Sequence, residues 1–228
     1  MSDSAVAQVL SDQVLSNRLL LPAKMTPTTL SGSRVKLVPL DVARDSQALF
    51  SVSNGSSLDL PGTKVSDYDS DALIWRFMGA GPFANINAFE MYLEALVSNA
   101  NGLAMCVYDI GSGRPVGVAT FMNNFPEHLK VELGNIWYSP VVQGKGANLE
   151  ATYLMLEHAF SLGYRRVEWK CDASNERSRR AALRMGFRFE GVQEFHFIVK
   201  ERNRDTAWFR MLDHEWHSQK GILESIIY

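Results

Sequence analysis

Trp137-Tyr138-Ser139-Pro140-Val141-Val142-Gln143-Gly144-Lys145-Gly146-Ala147-Asn148 is the stretch on which the reading of this chain turns. It runs from the end of a strand, through a turn with two glycines, into an amphipathic helix expected from about Lys145 to Leu162. Such a turn aims the unpaired N–H groups of the first helical turn, and the positive end of the helix dipole, at one point in space. That is an anion site. Glycine lets the backbone approach a phosphate with no Cβ in the way. Spacing separates the proteins that build such turns. A P-loop needs G-x-x-x-x-G-K-[ST], but Ser139 stands where the first glycine belongs and Gly146 where the hydroxyl belongs. A dinucleotide fingerprint needs a third glycine at Leu149.

What remains is Q-x-x-G-x-[GA], carried by Gln143 and Gly146 with Asn148 in the last place. About thirty residues on come Asn175-Glu176-Arg177-Ser178 and then Met185-Gly186-Phe187. Together these resemble the pyrophosphate loop and the N-x-x-[SA]…G-F element of the GNAT superfamily of acetyl-CoA-dependent N-acetyltransferases, over roughly residues 34 to 216. The resemblance is nearest to the RimJ/RimL-like branch. It implies a mixed α/β fold with a central, mostly antiparallel, splayed sheet flanked by helices. It also implies acetyl-CoA as co-substrate and a primary amine as acceptor.

The bulk properties agree with that class. The 228 residues, 46% hydrophobic and 21% charged, suit one soluble globular core, and a net charge of −2 argues against a dedicated nucleic-acid binder. Charge is uneven, however. Gly163 to Arg204 holds eleven Lys/Arg against six Asp/Glu, with Arg177, Arg179, Arg180 and Arg184 on one expected helix. These arginines read either as a solvated face or as attraction for phosphates. Cys106 and Cys171 are too few for a disulfide framework, and no metal site is expected. No apolar run is long enough to span a bilayer and the N-terminus carries no targeting pattern, so no membrane partner and a cytoplasmic location are expected.

Three segments are expected: an extension over 1–33, the acetyltransferase domain over 34–216 and a tail over 217–228. Within the domain, Arg34–Leu40 alternates as a strand, and Asp41 caps a helix to about Ser53. Residues 54–71 read as loop, and Asn87 opens a helix to about Asn99. Strands follow over 103–110, 115–122 and 130–138, the first two joined by Gly111-Ser112-Gly113. After the central helix come a strand at 167–171, a helix from Ser174 to Met185, and a final antiparallel pair over 187–200 and 206–212.

By the resemblance, the backbone of Ile136, Trp137 and Tyr138 pairs with the pantetheine arm of the cofactor. Gln143, Gly144, Lys145, Gly146, Ala147 and Asn148 cradle its pyrophosphate, and Asn175 and Ser178 meet the arm. Acyl transfer requires a neutral amine, a stabilised thioester oxygen and a tolerated thiolate. Glu132 is the foremost candidate base, and strand alternation would put it on one face with Gly134 and Ile136. Glu194, beside His196, is the second candidate. Much of the superfamily protonates the thiol with a tyrosine seven residues after the asparagine. Ala182 stands there, and Ser178 takes the role in the RimL-like branch. Trp75, Phe77, Phe83 and Phe195 are expected to line the acceptor cleft. A plain structural reading stands beside each of these: strand surface for Glu132, helix capping for Ser178, packing for the aromatics. The alternatives in function are a CoA-binding protein that has lost turnover and an RNA-associated modifier. A homodimer is left open.

Overall fold

The fold is given by a computed structural model that describes residues 9–60 and 62–228. The strands are β1 (Leu30–Ser31), β2 (Val35–Pro39), β3 (Leu58–Leu60), β4 (Thr63–Val65), β5 (Leu103–Asp109), β6 (Arg114–Phe125), β7 (Lys130–Tyr138), β8 (Arg166–Asp172), β9 (Arg188–Val199) and β10 (Arg202–Leu212). The α-helices are α1 (Asp12–Leu20), α2 (Val42–Ser51), α3 (Ile86–Val97), α4 (Ala147–Ser161), α5 (Glu176–Arg184) and α6 (Asp213–Ile227). Eight strands form one sheet in the order β1-β2-β5-β6-β7-β8-β10-β9. Every neighbouring pair is antiparallel except β7 and β8, which are parallel. This is the mixed α/β, mostly antiparallel architecture expected from the sequence.

Helices cover both faces, so the central strands read as nearly continuous apolar runs rather than strict alternation. In β5, Leu103 to Val107 are all buried. One face packs Met155, Leu156 and Ala159 of α4 against Val131 and Leu133 of β7. The other packs Leu49 of α2 and Phe89 and Leu93 of α3 against Cys106, Val118 and Trp137. Local signals set the helix starts: Asp41 accepts from the Arg44 N–H and Asn85 from the Ala88 N–H. Asn85, not Asn87, therefore opens α3. The expected loop at 54–71 contains the hairpin β3/β4 and leads into a π-helical turn over Asp71–Trp75. Neither has a hydrophobic period long enough to read from sequence. The core also continues past Trp216, because Leu223 and Ile227 of α6 are buried in it.

Two irregularities in β7 shape the centre of the sheet. Val118 of β6 faces Trp137 while Thr120 faces Gly134, so Asn135 and Ile136 stand opposite one residue, with Asn135 at φ 47°. This β-bulge reverses the alternation beyond it. Glu132 and Gly134 consequently share a face with Trp137, and the expected grouping of Glu132 with Ile136 is corrected. Second, β7 and β8 pair only from Lys130/Arg166 to Leu133/Trp169. Past that point each strand stays paired to its other neighbour alone, and the sheet opens into a V.

The start of β2 is anchored by Glu150, fully buried in the first turn of α4. Its carboxylate accepts from the N–H groups of Ser33, Arg34 and Val35, each at 2.8 Å, and from the Ser33 hydroxyl at 2.7 Å. Burial alone would push this carboxyl up, but the four donors outweigh it and hold it below its ordinary value. At Gly32 a Cβ would lie 2.5 Å from the Glu150 carboxyl carbon, so the approach requires glycine. Glu150→Ala strands three amides and should cost on the order of 3 kcal/mol of stability. Because the folded-state value is depressed, this stabilisation is present above the unfolded value of about 4.3 and fades as pH falls through the folded one. Urea midpoints of wild type and Glu150→Ala should therefore converge as pH drops from 7 towards 3.5. A gap that stays constant would refute the assignment.

Candidate active site

A cleft of about 800 Å³ opens at the V. It is floored by the end of β7, walled by the first turn of α4 and by α5, and bordered by the π-helical turn. Gly144 and Gly146 take φ of 74° and 89°, which side chains other than glycine rarely adopt. Added Cβ atoms would meet nothing within 4 Å at Gly144 and only Arg34 atoms, at 3.6 Å and beyond, at Gly146, so backbone conformation rather than space demands glycine at both. The turn is closed by Val142 N–H to Ser139 and Lys145 N–H to Val142, and helical bonding begins with Glu150 N–H to Gly146. Among the described residues no acceptor is bonded to the N–H groups of Gly144, Gly146, Ala147, Asn148 or Leu149. These free donors at a helix start, with Arg177, Arg180 and Arg184 of α5 also on the cleft wall, fit a polyanionic pyrophosphate.

The other sequence-derived cofactor residues are brought together as follows. Ile136, Trp137, Tyr138, Gln143, Gly144, Gly146, Asn148, Asn175 and Ser178 all line this cleft. Lys145 does not; its ammonium bonds Thr63 Oγ1 at 2.7 Å, tying the turn to β4. Ala147 is buried and offers only its amide. Asn175 caps α5 by accepting from the Ser178 N–H. Ser178 Oγ accepts from Trp169 Nε1 at 3.0 Å, so its own O–H proton is left to donate. Ala182 is fully buried, and no tyrosine of α5 reaches the cleft. Tyr138 does line it, with a buried hydroxyl that has no partner among the described residues and a pKa pushed up by burial, so it stays a proton donor.

Glu132 lies on the opposite face of the sheet, one residue before the strands part. Only 5% of it is exposed. Its Oε2 forms an ion pair with Lys170 Nζ and accepts from Asn123 Nδ2, each at 2.7 Å. Its Oε1 faces Gly134, where an added Cβ would come within 3.3 Å. Glu194 is exposed on β9 and outside the cleft. Of the expected acceptor aromatics, only Phe77 lines the cleft. Trp75 is core: 1% exposed, its indole N–H bonds the Ser53 carbonyl and its ring packs 5.0 Å from those of Phe83 and Trp137. Phe83 belongs to the same aromatic packing. Phe195 sits at a bulge with φ 51°, 83% exposed, on the edge strand. Sequence patterning marks an aromatic as apolar, not as cleft or core.

Residues missed from the sequence lie where the π-helical turn is strapped across the cleft mouth. The Leu73 carbonyl accepts from Gln143 Nε2 and Arg177 Nη2, and the Trp75 carbonyl from Lys200 Nζ. Burial lowers the Lys200 pKa. Lys170 was also missed; a lysine alternating along a strand carries no signal of its partner.

Known proteins can now be set beside this geometry. The description "Acetyltransferase (GNAT) domain" matches residues 55–188. A GCN5-related N-acetyltransferase from Brucella melitensis superposes with a TM-score of 0.81 at 33% identity, over 90% of this chain and 87% of that one. A GNAT-family structure from Chromobacterium violaceum gives 0.75 at 34% identity, over 85% and 90%. "Putative ribosomal N-acetyltransferase YdaF" of Bacillus subtilis (strain 168) is 26% identical over 155 residues, which is 64% of this chain and 80% of that protein. The last is in keeping with the RimJ/RimL-like resemblance. With its sheet parted beside a cradle of free amides, the chain belongs to the GNAT family and is an acetyl-CoA-dependent N-acetyltransferase.

Proposed function

We propose that this enzyme acetylates a primary amine, on a small molecule or a protein N-terminus, by direct attack on acetyl-CoA. One observation carries the reading: the V between β7 and β8 joins a phosphate cradle on one face to a buried carboxylate at the apex on the other. In this reading Gly144, Gly146, Ala147 and Asn148 receive the pyrophosphate on backbone amides, with Gln143 and Lys145 bracing the turn. The unpaired edge of β7 at Ile136 to Tyr138 receives the pantetheine arm. Asn175 and Ser178 close on the arm from α5.

The amine approaches from the face of α2 and α3; Glu132 lies on that face one residue before the strands part, buried and not itself lining the cleft. Loss of a proton to Glu132 leaves a lone pair on nitrogen. The C–N bond then forms, the C–S bond breaks, and the sulfur departs as thiolate. As the amide forms, the nitrogen sheds its second proton. Ser178, whose oxygen is held by Trp169, hands its O–H proton to the departing sulfur and recovers one from that nitrogen, leaving the amide and the free thiol. Glu194, exposed on the edge strand β9 and outside the cleft lining, is the less favoured base. A non-catalytic CoA-binding reading draws on Ala182, where the family often has its tyrosine, but Ser178 offers a hydroxyl in the cleft. Panels of small amines, amino acids and N-terminal peptides, followed by thiol release, would identify the acceptor. The absence of turnover on any amine would favour the binding-protein reading.

Two outcomes are expected. Acetyl-CoA at a hundred times its Kd should stabilise the fold by about 2.7 kcal/mol, roughly 5–11 °C in Tm. Gly146→Asp, which adds negative charge at the cradle and a side chain at φ 89°, should abolish that shift; a variant of ordinary base stability that keeps the shift would remove the turn from the site. Ser178→Ala should slow turnover about tenfold, and the loss should shrink as pH rises past about 8.5, where a thiolate leaves unaided. A pH-independent loss matched by weaker acetyl-CoA binding would show that Ser178 only holds the cofactor.

A further inference from the structure

Two buried glutamates stand side by side at the apex of the V. Glu132 of β7 and Glu168 of β8 are directly paired in register and are 5% and 4% exposed. Like charges so placed repel unless something is shared between them. Lys170 supplies it: its Nζ is 2.7 Å from Glu132 Oε2 and 3.8 Å from Glu168 Oε2. The ammonium lies 3.8 Å from the centre of the Trp208 ring, which fixes it over the strand surface without neutralising it.

We infer that Lys170 and Glu168 are positioning residues that make Glu132 a usable base, with Lys170 passing from Glu132 to Glu168 as Glu132 takes the proton of the amine. This rests on the reading of Glu132 as base. With Glu132 as its sole partner, the Lys170 ammonium would be left unpaired in a poorly solvated place once Glu132 took the proton. A second carboxylate removes the penalty. The proton moves from the acceptor ammonium to Glu132 Oε1, Lys170 keeps its charge, and its pairing moves to Glu168 Oε2. Glu168 is suited to wait as an anion, since Arg166 Nε lies 2.8 Å and Lys130 Nζ 3.6 Å from its other oxygen.

The surrounding charges must be counted with the triad. Asn123 of β6 donates to Glu132 and is neutral. Glu190 of β9 pairs with Arg166 at 2.5 Å and with Arg210 of β10 at 3.7 Å, and Arg210 is also paired with Glu215 of α6. Glu215 is shared in turn with Arg188 at 3.0 Å. The His196 ring lies 6.0 Å from that of Trp208. Each of these outer ions except His196 has its own partner, which leaves Lys170 as the cation shared between Glu132 and Glu168.

The test is the pH profile of kcat/KM for thiol release with the best amine from the panel, measured on the full chain. Lys170→Met removes a cation beside Glu132 and should move the acid limb up by about one pH unit or more, while Glu168→Gln removes an anion and should move it down. Lys170→Arg should restore the wild-type limb. Should Lys170→Met fail to fold, Lys170→Gln keeps a donor to Glu132 without the charge and should move the limb the same way. If the limb stays fixed in these variants while Glu132→Gln costs at least about a hundredfold, the base reading holds and the shared-lysine inference falls. If Glu132→Gln keeps the wild-type rate and limb, both fall. Opposite limb shifts with a rate collapse in Glu132→Gln would establish the triad.

Discussion

A parallel pair of strands held by only four facing residue pairs is the constraint on which this molecule is organised. Strands that twist in the usual sense stay together only while their backbone groups are exchanged. Beyond Leu133 and Trp169 that exchange stops, and the bulge at Asn135 keeps β7 on β6 while β8 follows β10. The edge of β7 from Gly134 to Tyr138 is therefore short of partners inside a covered sheet, where unpaired backbone groups are costly. An extended ligand that brings its own amides relieves that cost. In the proposed reading the cleft is a missing strand, filled by an extended ligand that is recognised more by main-chain geometry than by side chains.

The same bulge assigns the chemistry to faces. Without the extra residue, Trp137 would point towards α4 and the cradle, and Tyr138 towards α3. With it, Trp137 joins Trp75, Phe89 and Val118 under the α2/α3 layer, and Tyr138 joins the α4 layer. Glu132 is left on the α2/α3 face, across the sheet from the face that α4 covers. In the proposed reading, a base and a polyanionic cofactor kept on opposite faces avoid mutual repulsion and meet only through the V.

Two buried glutamates show how different partners make different uses of the same side chain. Glu150 is satisfied entirely by donors that cannot move away, three backbone amides and a hydroxyl, and it fixes the first strand of the domain to the helix that carries the cradle. Glu132 is held by one amide and one ammonium, and its remaining oxygen faces a glycine. Rigid neutral donors suit an anchor. A cation with a second carboxylate within reach suits a group that, in the proposed reading, changes protonation state.

Local order was legible in the residues. The glycines at 144 and 146, the cap at Asp41, the hairpin at Gly111-Ser112-Gly113 and the spacing of Gln143, Gly146 and Asn175 identified strand, turn and helix, because each depends on backbone preferences of a few adjacent residues. From those followed most of the order of elements in the domain, while the cradle and the mixed sheet were implied by the family resemblance that the same residues carry. What tertiary structure decided was which side of the sheet each group faces and what covers it. A single extra residue at Asn135 reversed the expected face of Ile136 relative to Glu132. Packing drew Trp75 and Phe83 into the core, left Phe195 on an open edge, and set Lys170 between two carboxylates. Those outcomes depend on register and contact between residues far apart in the chain, and neither hydrophobicity nor charge at one position encodes them.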